Sequence, residues 1–385
     1  MYVNLAVMKE THPHERRVAL VPSLCAKLRA LGARLHMQSG AGEASFLPDS
    51  VYPDVLFLPN GGQLVHEADV VLAVQAPSLE VIGKMKPGSV LLCFVYAQKN
   101  PAVVQRLLER QVTCFAMERL PRITRAQSMD ALSSQSAMSG YYAVQLGSVH
   151  MSRILPKITT AAGIVGPARV LVLGLGVAGL EAIATAHRLG AVVEGYDVRP
   201  ETAEQARSLG ASFVDVGVDA RGKGGYAREL SEAEKAQVAQ VLTEHIQQAD
   251  LVITTAAVPG RPSPRLVSAA QLAGMKPGAV IVDLGAEGGG NCEGCVPGQT
   301  VMIGGVTLMA PLNLPSSLSQ DASLLYAKNQ FNLLALMLKN NVIGIDWDDQ
   351  ILAQTVLTHA GKLMHPAPPG DTEADHAAKE HSTHE

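Results

Sequence analysis

Between Pro121 and Val144 the sequence reads PRITRAQSMDALSSQSAMSGYYAV, with two arginines, two glutamines, one aspartate and five serines in a chain that is 47% hydrophobic. Short hydrogen-bonding side chains at that density make either a solvated loop or a floor for a polar, planar ligand. Further on, Gly174-Leu-Gly176-Val-Ala-Gly179 follows the apolar run VLVL and opens a helix-like run. In that context each glycine has a task. Gly174 permits a tight turn, Gly176 lets the backbone approach a pyrophosphate, and Gly179 lets helix and strand pack closely. A pyrophosphate there would meet free N–H groups at the positive end of a helix. Asp197 closes the next strand pattern roughly twenty residues on, where a carboxylate accepts from the adenosine ribose and repels a 2′-phosphate. Arg199, two residues later, pulls toward the phosphorylated nucleotide. The strand-ending carboxylate makes NAD(H) the expected ligand.

A dehydrogenase of small substrates needs more: a cation to hold a carboxylate and a proton donor at the reacting carbon. Lys9, His12, His14, Arg16 and Arg17 cluster near the first strand, with surface charge as the plainer reading of each. If both substrates are nicotinamides, hydride passes from ring carbon to ring carbon and no general acid or base is needed. The protein then has only to hold the rings about 3–3.5 Å apart and exclude water. The polar stretch at 121–144 offers groups suited to a carboxamide and a ribose.

Other features read as structure. Gly40-Ala-Gly42 lacks the strand–turn–helix context and reads as a turn. Cys292-Glu-Gly-Cys295 is a lone CxxC, and zinc would require two further ligands, so no metal is expected. The five cysteines form no disulfide framework and point to a reducing cytosol. The polar tail, with His376, His381 and His384, reads as loose chain.

The elements that must position these residues are legible as alternating strand and helix patterns. A net charge of −4 argues against nucleic acid or anionic membrane as partner. No apolar run long enough to span a bilayer is free of charges or glycine-rich breaks. Strands are expected at 3–10, 33–39, 69–75, 89–95 and 112–118, then at 169–174, 191–197, 212–216, 250–256, 279–285 and, more weakly, 301–310 as one piece. Long helices are expected at 132–153 and 321–339. This is the pattern of an α/β protein with two doubly wound parallel-sheet domains, the second a Rossmann NAD-binding domain inserted in the first. The expected boundaries are 1–133 plus 316–365 for a discontinuous flavodoxin-like domain, 134–315 for the Rossmann domain, and 366–385 for the tail.

Taken together, ITRAQSMDALSSQS, LVLGLGVAGLEAIATAHRLGA, YDVRPETAEQ, GGYAREL, ITTAAVPGRP, KPGAVIVDL and EGGGNCE resemble the NAD(H)-binding component, domain I, of proton-translocating nicotinamide nucleotide transhydrogenases. The similarity runs from KETHPHERRVALVP to DASLLYAKNQFNLL and so covers most of the chain. The resemblance implies a Si-specific (AB-type) transhydrogenase alpha subunit. It would form a homodimer, bind NAD(H), and exchange hydride with NADP(H) on a beta subunit. Membrane-spanning subunits would couple this to proton movement, with the chain cytoplasmic and held peripherally at the inner membrane. By motif, Arg122, Gln127, Asp130 and Ser133 match the loop at the nicotinamide. Arg122 and Asp130 would orient the carboxamide and each other, and Gln127 would reach the ribose and the partner's nucleotide. Gly174, Gly176, Val177, Ala178 and Gly179 match the pyrophosphate turn. Asp197, Val198 and Arg199 match the adenosine-ribose segment, and Gly225 and Tyr226 a mobile loop that closes over the nucleotide. Ala257 stands where the family usually has a larger apolar residue, which implies a looser adenine pocket. The alanine dehydrogenases share this fold and are the alternative. They use a lysine where this chain has Gln75 and a histidine in the segment that here reads LLCFVYA, while Arg17 resembles their carboxylate-holding arginine. Ala73-Val-Gln-Ala76-Pro also departs from the KVQRP of many transhydrogenases.

Overall fold

The computed structural model describes residues 2–218, 230–256, 262–339 and 341–364. The chain divides into two compact units that join at Gln135/Ser136 and again at Pro315/Ser316. The second is therefore inserted in the sequence of the first.

The first unit begins with β1 (Val3–Val7), α1 (Pro22–Ala30), β2 (Ala33–Gln38), β3 (Leu56–Leu58), α2 (Gly61–His66), β4 (Val70–Gln75), α3 (Leu79–Lys84), β5 (Val90–Phe94), α4 (Pro101–Glu109) and β6 (Thr113–Ala116). These strands are parallel and lie in the order β3-β2-β1-β4-β5-β6. Without the short β3 the order is the flavodoxin-like one. Side chains alternate between two cores. Leu5, Val7, Val70, Leu72 and Val74 enter one, and Ala6, Val71 and Ala73 the other. With both faces covered, β5 is buried along its whole length, which is why it reads as the unbroken apolar run VLLCF. Pro22 and Pro101 sit in the first turns of their helices, where a missing N–H leaves nothing unpaired, and the Asn60 and Ser78 side chains cap α2 and α3.

The second unit starts within α5 (Ala131–His150) and continues through β7 (Ile158–Thr160), β8 (Gly163–Val165), β9 (Arg169–Leu173), α6 (Val177–Arg188), β10 (Val192–Tyr196), α7 (Thr202–Ser208), β11 (Ser212–Phe213), α8 (Glu232–Gln248), β12 (Leu251–Thr254), α9 (Ala269–Ala273), β13 (Val280–Asp283), β14 (Thr300–Ile303) and β15 (Val306–Met309). Its main sheet runs β11-β10-β9-β12-β13-β15-β14. That is the dinucleotide-fold order with one antiparallel edge strand added. Val170 and Val172 face one core, Leu171 and Leu173 the other. The single strand expected over 301–310 is two strands. Ile303 pairs with Val306 across Gly304 and Gly305, both at positive φ. A two-residue glycine loop is the hairpin turn that such backbone angles favour.

The chain then returns to the first unit through α10 (Ser319–Met337), a small ladder of β16 (Leu338–Lys339) and β17 (Val342–Ile343), α11 (Gln350–Thr355), β18 (Val356–His359) and β19 (Lys362–Leu363). β18 pairs antiparallel with β6 and, with β19 beyond it, extends the first sheet to eight strands. Helix α10 is built into that sheet by polar side chains. Pairing of β4 with β5 slips between Leu72 and Gln75. The carbonyls exposed by the slip, Ala73 and Val74, accept from Tyr326 Oη at 3.1 and 3.2 Å, and Gln330 Nε2 donates to the carbonyls of Ala73 and Leu92.

Candidate functional site

In the second unit the chain leaves β9 through Gly174 at φ +94, a backbone state that glycine adopts without strain. The Gly174 carbonyl accepts from Thr255 Oγ1 at 2.8 Å. A Cβ on Gly179 would collide with that same carbonyl oxygen, whereas a Cβ on Gly176 would meet no atom within 4 Å. The third glycine is thus required by packing. The second keeps clear the space in front of α6. The N-cap residue is Gly176, which has no side chain to cap the helix, and among the described residues no side-chain acceptor is recorded on its first N–H groups, including those of Val177 and Ala178. These residues fit a pyrophosphate. A further glycine belongs to the same construction. Gly140 lies in α5, and a Cβ there would strike the carbonyl of Ala178. Only a glycine inside a helical run hinted at it in the sequence.

Asp197 follows β10 and is 9% exposed. Its Oδ2 accepts from the backbone N–H of Leu175 at 2.7 Å and from Arg199 Nη2 at 2.9 Å. Its Oδ1 accepts from the backbone N–H and the Nε of Arg199, both at 2.9 Å. The carboxylate therefore ties the glycine turn to its own strand end, and two of the three residues expected at the adenosine ribose, Asp197 and Arg199, form an ion pair. Val198 is half-buried against the core behind them.

Thr254, Asp283 and Asn291 form a buried network at the carboxyl ends of β12 and β13. Asp283 Oδ1 accepts from Thr254 Oγ1 and the Gly285 N–H, and its Oδ2 accepts from the N–H groups of Asn291 and Cys292. Asn291 Nδ2 donates to the carbonyls of Ala256 at 2.9 Å and Pro264 at 2.7 Å, tying the two ends of the segment that carries Ala257. Sequence reasoning missed this network, since nothing in an Asp or Asn alone signals it. Burial, reinforced by the Asp283 carboxylate, pushes the Cys295 thiol up to about 12 and Cys292 well above its ordinary value. Burial thus favours the protonated thiol at both positions. Gly225, Tyr226 and Ala257 lie outside the described residues, as do the three tail histidines.

In the first unit the polar stretch is a 3₁₀ turn, Thr124–Met129, leading into α5. Ala126 and Met129 enter the core, while Arg122 and Gln127 are exposed. Asp130 caps α5: its Oδ1 accepts from the Ser133 N–H at 2.9 Å and its Oδ2 from Ser133 Oγ at 2.5 Å. The structure thus brings Asp130 and Ser133 together directly. The turn is pinned from α10, where Asn329 and Asn332 both donate to the Ser128 carbonyl. Arg125, by contrast, forms a bidentate pair with Asp349.

The cations expected near β1 are mostly engaged. Arg17 is 3% exposed, not on the surface. Glu15 grips it with both oxygens, at 2.8 Å to Nε and 2.6 Å to Nη2, and Gln135 accepts from its Nη1. Burial pushes the Glu15 carboxyl up, but the bonds from Arg17 prevail and hold it down at about 2. Gln75 Nε2 donates to Glu15 at 2.9 Å. His12 Nε2 contacts the Ala76 carbonyl at 3.0 Å, Arg16 Nε donates to the Ala44 carbonyl, and Lys9 lies 3.9 Å from Glu43. Glu10 was not among the expected residues. Burial raises its pKa to about 8, with the Val74 N–H opposing and the Glu15 charge adding. Its carboxyl group receives the N–H groups of Val74 and Gln75, at 2.6 and 3.2 Å. Among the described residues no group of histidine, cysteine, aspartate or glutamate is arranged to hold a metal ion, and no helix is long and apolar enough to cross a membrane.

Comparison with known proteins adds to this geometry. Residues 6–139 match the family described as "Alanine dehydrogenase/PNT, N-terminal domain", and residues 143–366 match "Alanine dehydrogenase/PNT, C-terminal domain". The chain is 41% identical to an NAD(P) transhydrogenase alpha subunit chain of Rhodospirillum rubrum, covering 95% of this chain and 98% of that one. It is 28% identical to alanine dehydrogenase of Mycobacterium tuberculosis over 94% of this chain and 95% of the relative. A solved transhydrogenase from Sinorhizobium meliloti superposes with a TM-score of 0.84 at 40% identity, covering 95% of this chain and all of that one.

Proposed function

The chain belongs to the alanine dehydrogenase/PNT family, and on that premise we propose that it is the NAD(H)-binding alpha subunit of a proton-translocating transhydrogenase of the Si-specific (AB) type. The observation that carries this reading is the glycine turn. Gly179 is locked against the Gly174 carbonyl, and Gly176, the N-cap residue, opens onto a helix end that no described side chain caps. Gly174, Gly176 and Gly179 admit the pyrophosphate, and the N–H groups at Val177 and Ala178 bind it. Asp197, Val198 and Arg199 hold the adenosine ribose, with Gly225, Tyr226 and Ala257 assigned to the closing loop and the adenine side.

Reduced nicotinamide, when bound, supplies the hydride that NADP+ on a partner subunit accepts. The chain's own role is positional. Asp130, fixed by Ser133 at the head of α5, has its carboxylate available to orient a carboxamide. Arg122 and Gln127 present exposed donors for the carboxamide and ribose. No proton moves at a protein atom, which agrees with the closed Glu15–Arg17 pair. The same pair, with Gln75 bonded to it, weighs against the alanine dehydrogenase alternative. That alternative needs Arg17 for a substrate carboxylate and a proton donor near Gln75.

Partners follow from the same reading: a second copy of the chain, an NADP(H)-binding beta subunit, and membrane subunits that would hold the complex at the inner face of the membrane. The exposed hairpin β7–β8, with Ile158, Ile164 and Val165 in solvent, supports the homodimer. The domain boundaries proposed are 1–133 with 316–365, and 134–315.

The test is NADH binding to the purified chain, followed by mixing with an NADP-loaded partner domain. Hydride transfer that requires both proteins is expected, and reduction of NAD by alanine would instead establish the dehydrogenase. Arg122→Ala, Gln127→Asn and Asp130→Asn should lose transfer more than binding, and equal loss of both would sink the positioning role.

A further inference from the structure

The four hydrogen bonds that described residues make to Asp197 occupy lone pairs that a ribose diol would need. Two come from backbone N–H groups, of Leu175 in the glycine turn and of Arg199, and these move only if the fold moves. The other two come from the Arg199 guanidinium, whose side chain is 28% exposed against 7% for that of Asp197. Among these described partners, the guanidinium is therefore the one with a path to solvent, and the one a ligand can replace without opening the turn.

We propose that Arg199 sets the choice between NADH and NADPH by guarding Asp197: a ribose 2′-hydroxyl must displace the guanidinium, whereas a 2′-phosphate can recruit it. The inference rests on the nucleotide reading of this unit and deepens it. A bare carboxylate at this position rejects a 2′-phosphate by charge and accepts a ribose directly. The paired carboxylate does both less strongly. Its charge is neutralised at about 2.9 Å, and every ribose hydrogen bond replaces one already made. The chain's discrimination is thus weaker than Asp197 alone would give, and Arg199 is the residue that weakens it. A guanidinium also matches phosphate geometry with two parallel N–H groups, which the ammonium of lysine cannot.

The experiment measures dissociation constants for NADH and NADPH, by calorimetry, on the full chain and on Arg199→Ala, Arg199→Lys and Asp197→Asn. Arg199→Ala should raise the preference for NADH over NADPH by about tenfold, the equivalent of one charge-assisted hydrogen bond. Asp197→Asn, which keeps an acceptor for the Leu175 N–H, should shift the preference toward NADPH by a similar factor. Arg199→Lys should fall between wild type and Arg199→Ala. An unmoved preference in Arg199→Ala, or an equal loss of both nucleotides, overturns the inference alone and leaves Arg199 as a brace for the turn. A wild-type chain that binds neither dinucleotide overturns the nucleotide reading and this inference with it.

Discussion

Two glycine-to-alanine changes three residues apart should have opposite effects, and the structure says why. At Gly179 the new Cβ is driven into the Gly174 carbonyl. That oxygen is backbone and is held by Thr255 Oγ1 at 2.8 Å, so the clash cannot be relieved by a side-chain rotation. Overpacking of this kind costs about 1–3 kcal/mol, and a rigid neighbour places it toward the upper end. In a unit of this size roughly 2–4 °C of melting temperature is lost per kcal/mol, so a fall of about 5–10 °C is expected. At Gly176 the backbone is extended at φ −76 and ψ −166, and the Cβ meets nothing. Alanine fits there and restricts the unfolded chain, which contributes about 0.4–1 kcal/mol of stability. On the proposed assignment its methyl group would stand in the path of the pyrophosphate, and NADH affinity should fall by at least about tenfold, roughly 1.4 kcal/mol. Scanning calorimetry without nucleotide and titration calorimetry with NADH separate the two effects. Gly176→Ala binding NADH as tightly as wild type would refute the assignment of this turn to the pyrophosphate. Gly179→Ala melting with wild type would refute the packing argument.

The remaining predictions concern groups that hold the site's framework. Glu10 has a folded pKa of about 8 against an ordinary 4.5. The folded chain therefore keeps a proton that the unfolded chain releases, and stability should fall as pH rises through that window and level off above it. The slope is on the order of 1 kcal/mol per pH unit. Glu10→Gln should flatten this slope in urea melts taken from pH 4.5 to 8.5, and an unchanged slope would place the titration elsewhere. Glu15→Ala leaves the buried Arg17 guanidinium without its carboxylate and should destabilise the chain by about 3–5 kcal/mol in denaturant melts. The Glu15 pKa is depressed, so its contribution is present above about pH 4.5 and is lost as pH falls toward about 2. Gly140→Ala pushes α5 against the Ala178 carbonyl and should weaken NADH binding severalfold while Asp130→Asn leaves it nearly intact. Equal effects of the two on binding would count against an indirect route through the turn.

Local sequence was informative where one residue type answers one local demand. The strands expected in both series occur at β1, β2, β4, β5 and β6 and at β9 to β13; β4, β5, β6, β12 and β13 are buried on both faces and so read as short apolar runs regardless of their neighbours. The hairpin of β14 and β15 was read as one strand because two glycines inside an apolar run resemble a bulge until their φ values are known. The short β3 was missed because three residues carry no periodicity.

The sequence by itself determined the α/β class, the insertion of one unit in the sequence of the other, the glycine turn that opens α6 and the family resemblance. Each of these is written in glycine positions and apolar periods that act over a few residues. Only the tertiary structure decided what the polar residues do, because their partners lie far along the chain. Arg17 is committed to Glu15 and Gln135, Ser128 is held by Asn329 and Asn332, and the slipped carbonyls of β4 are closed by Tyr326 and Gln330. Asp197 and Arg199 mark the limit between the two. Both were expected at a ribose from the sequence, but their pairing depends on rotamers and on the turn at Leu175, and a linear sequence specifies neither.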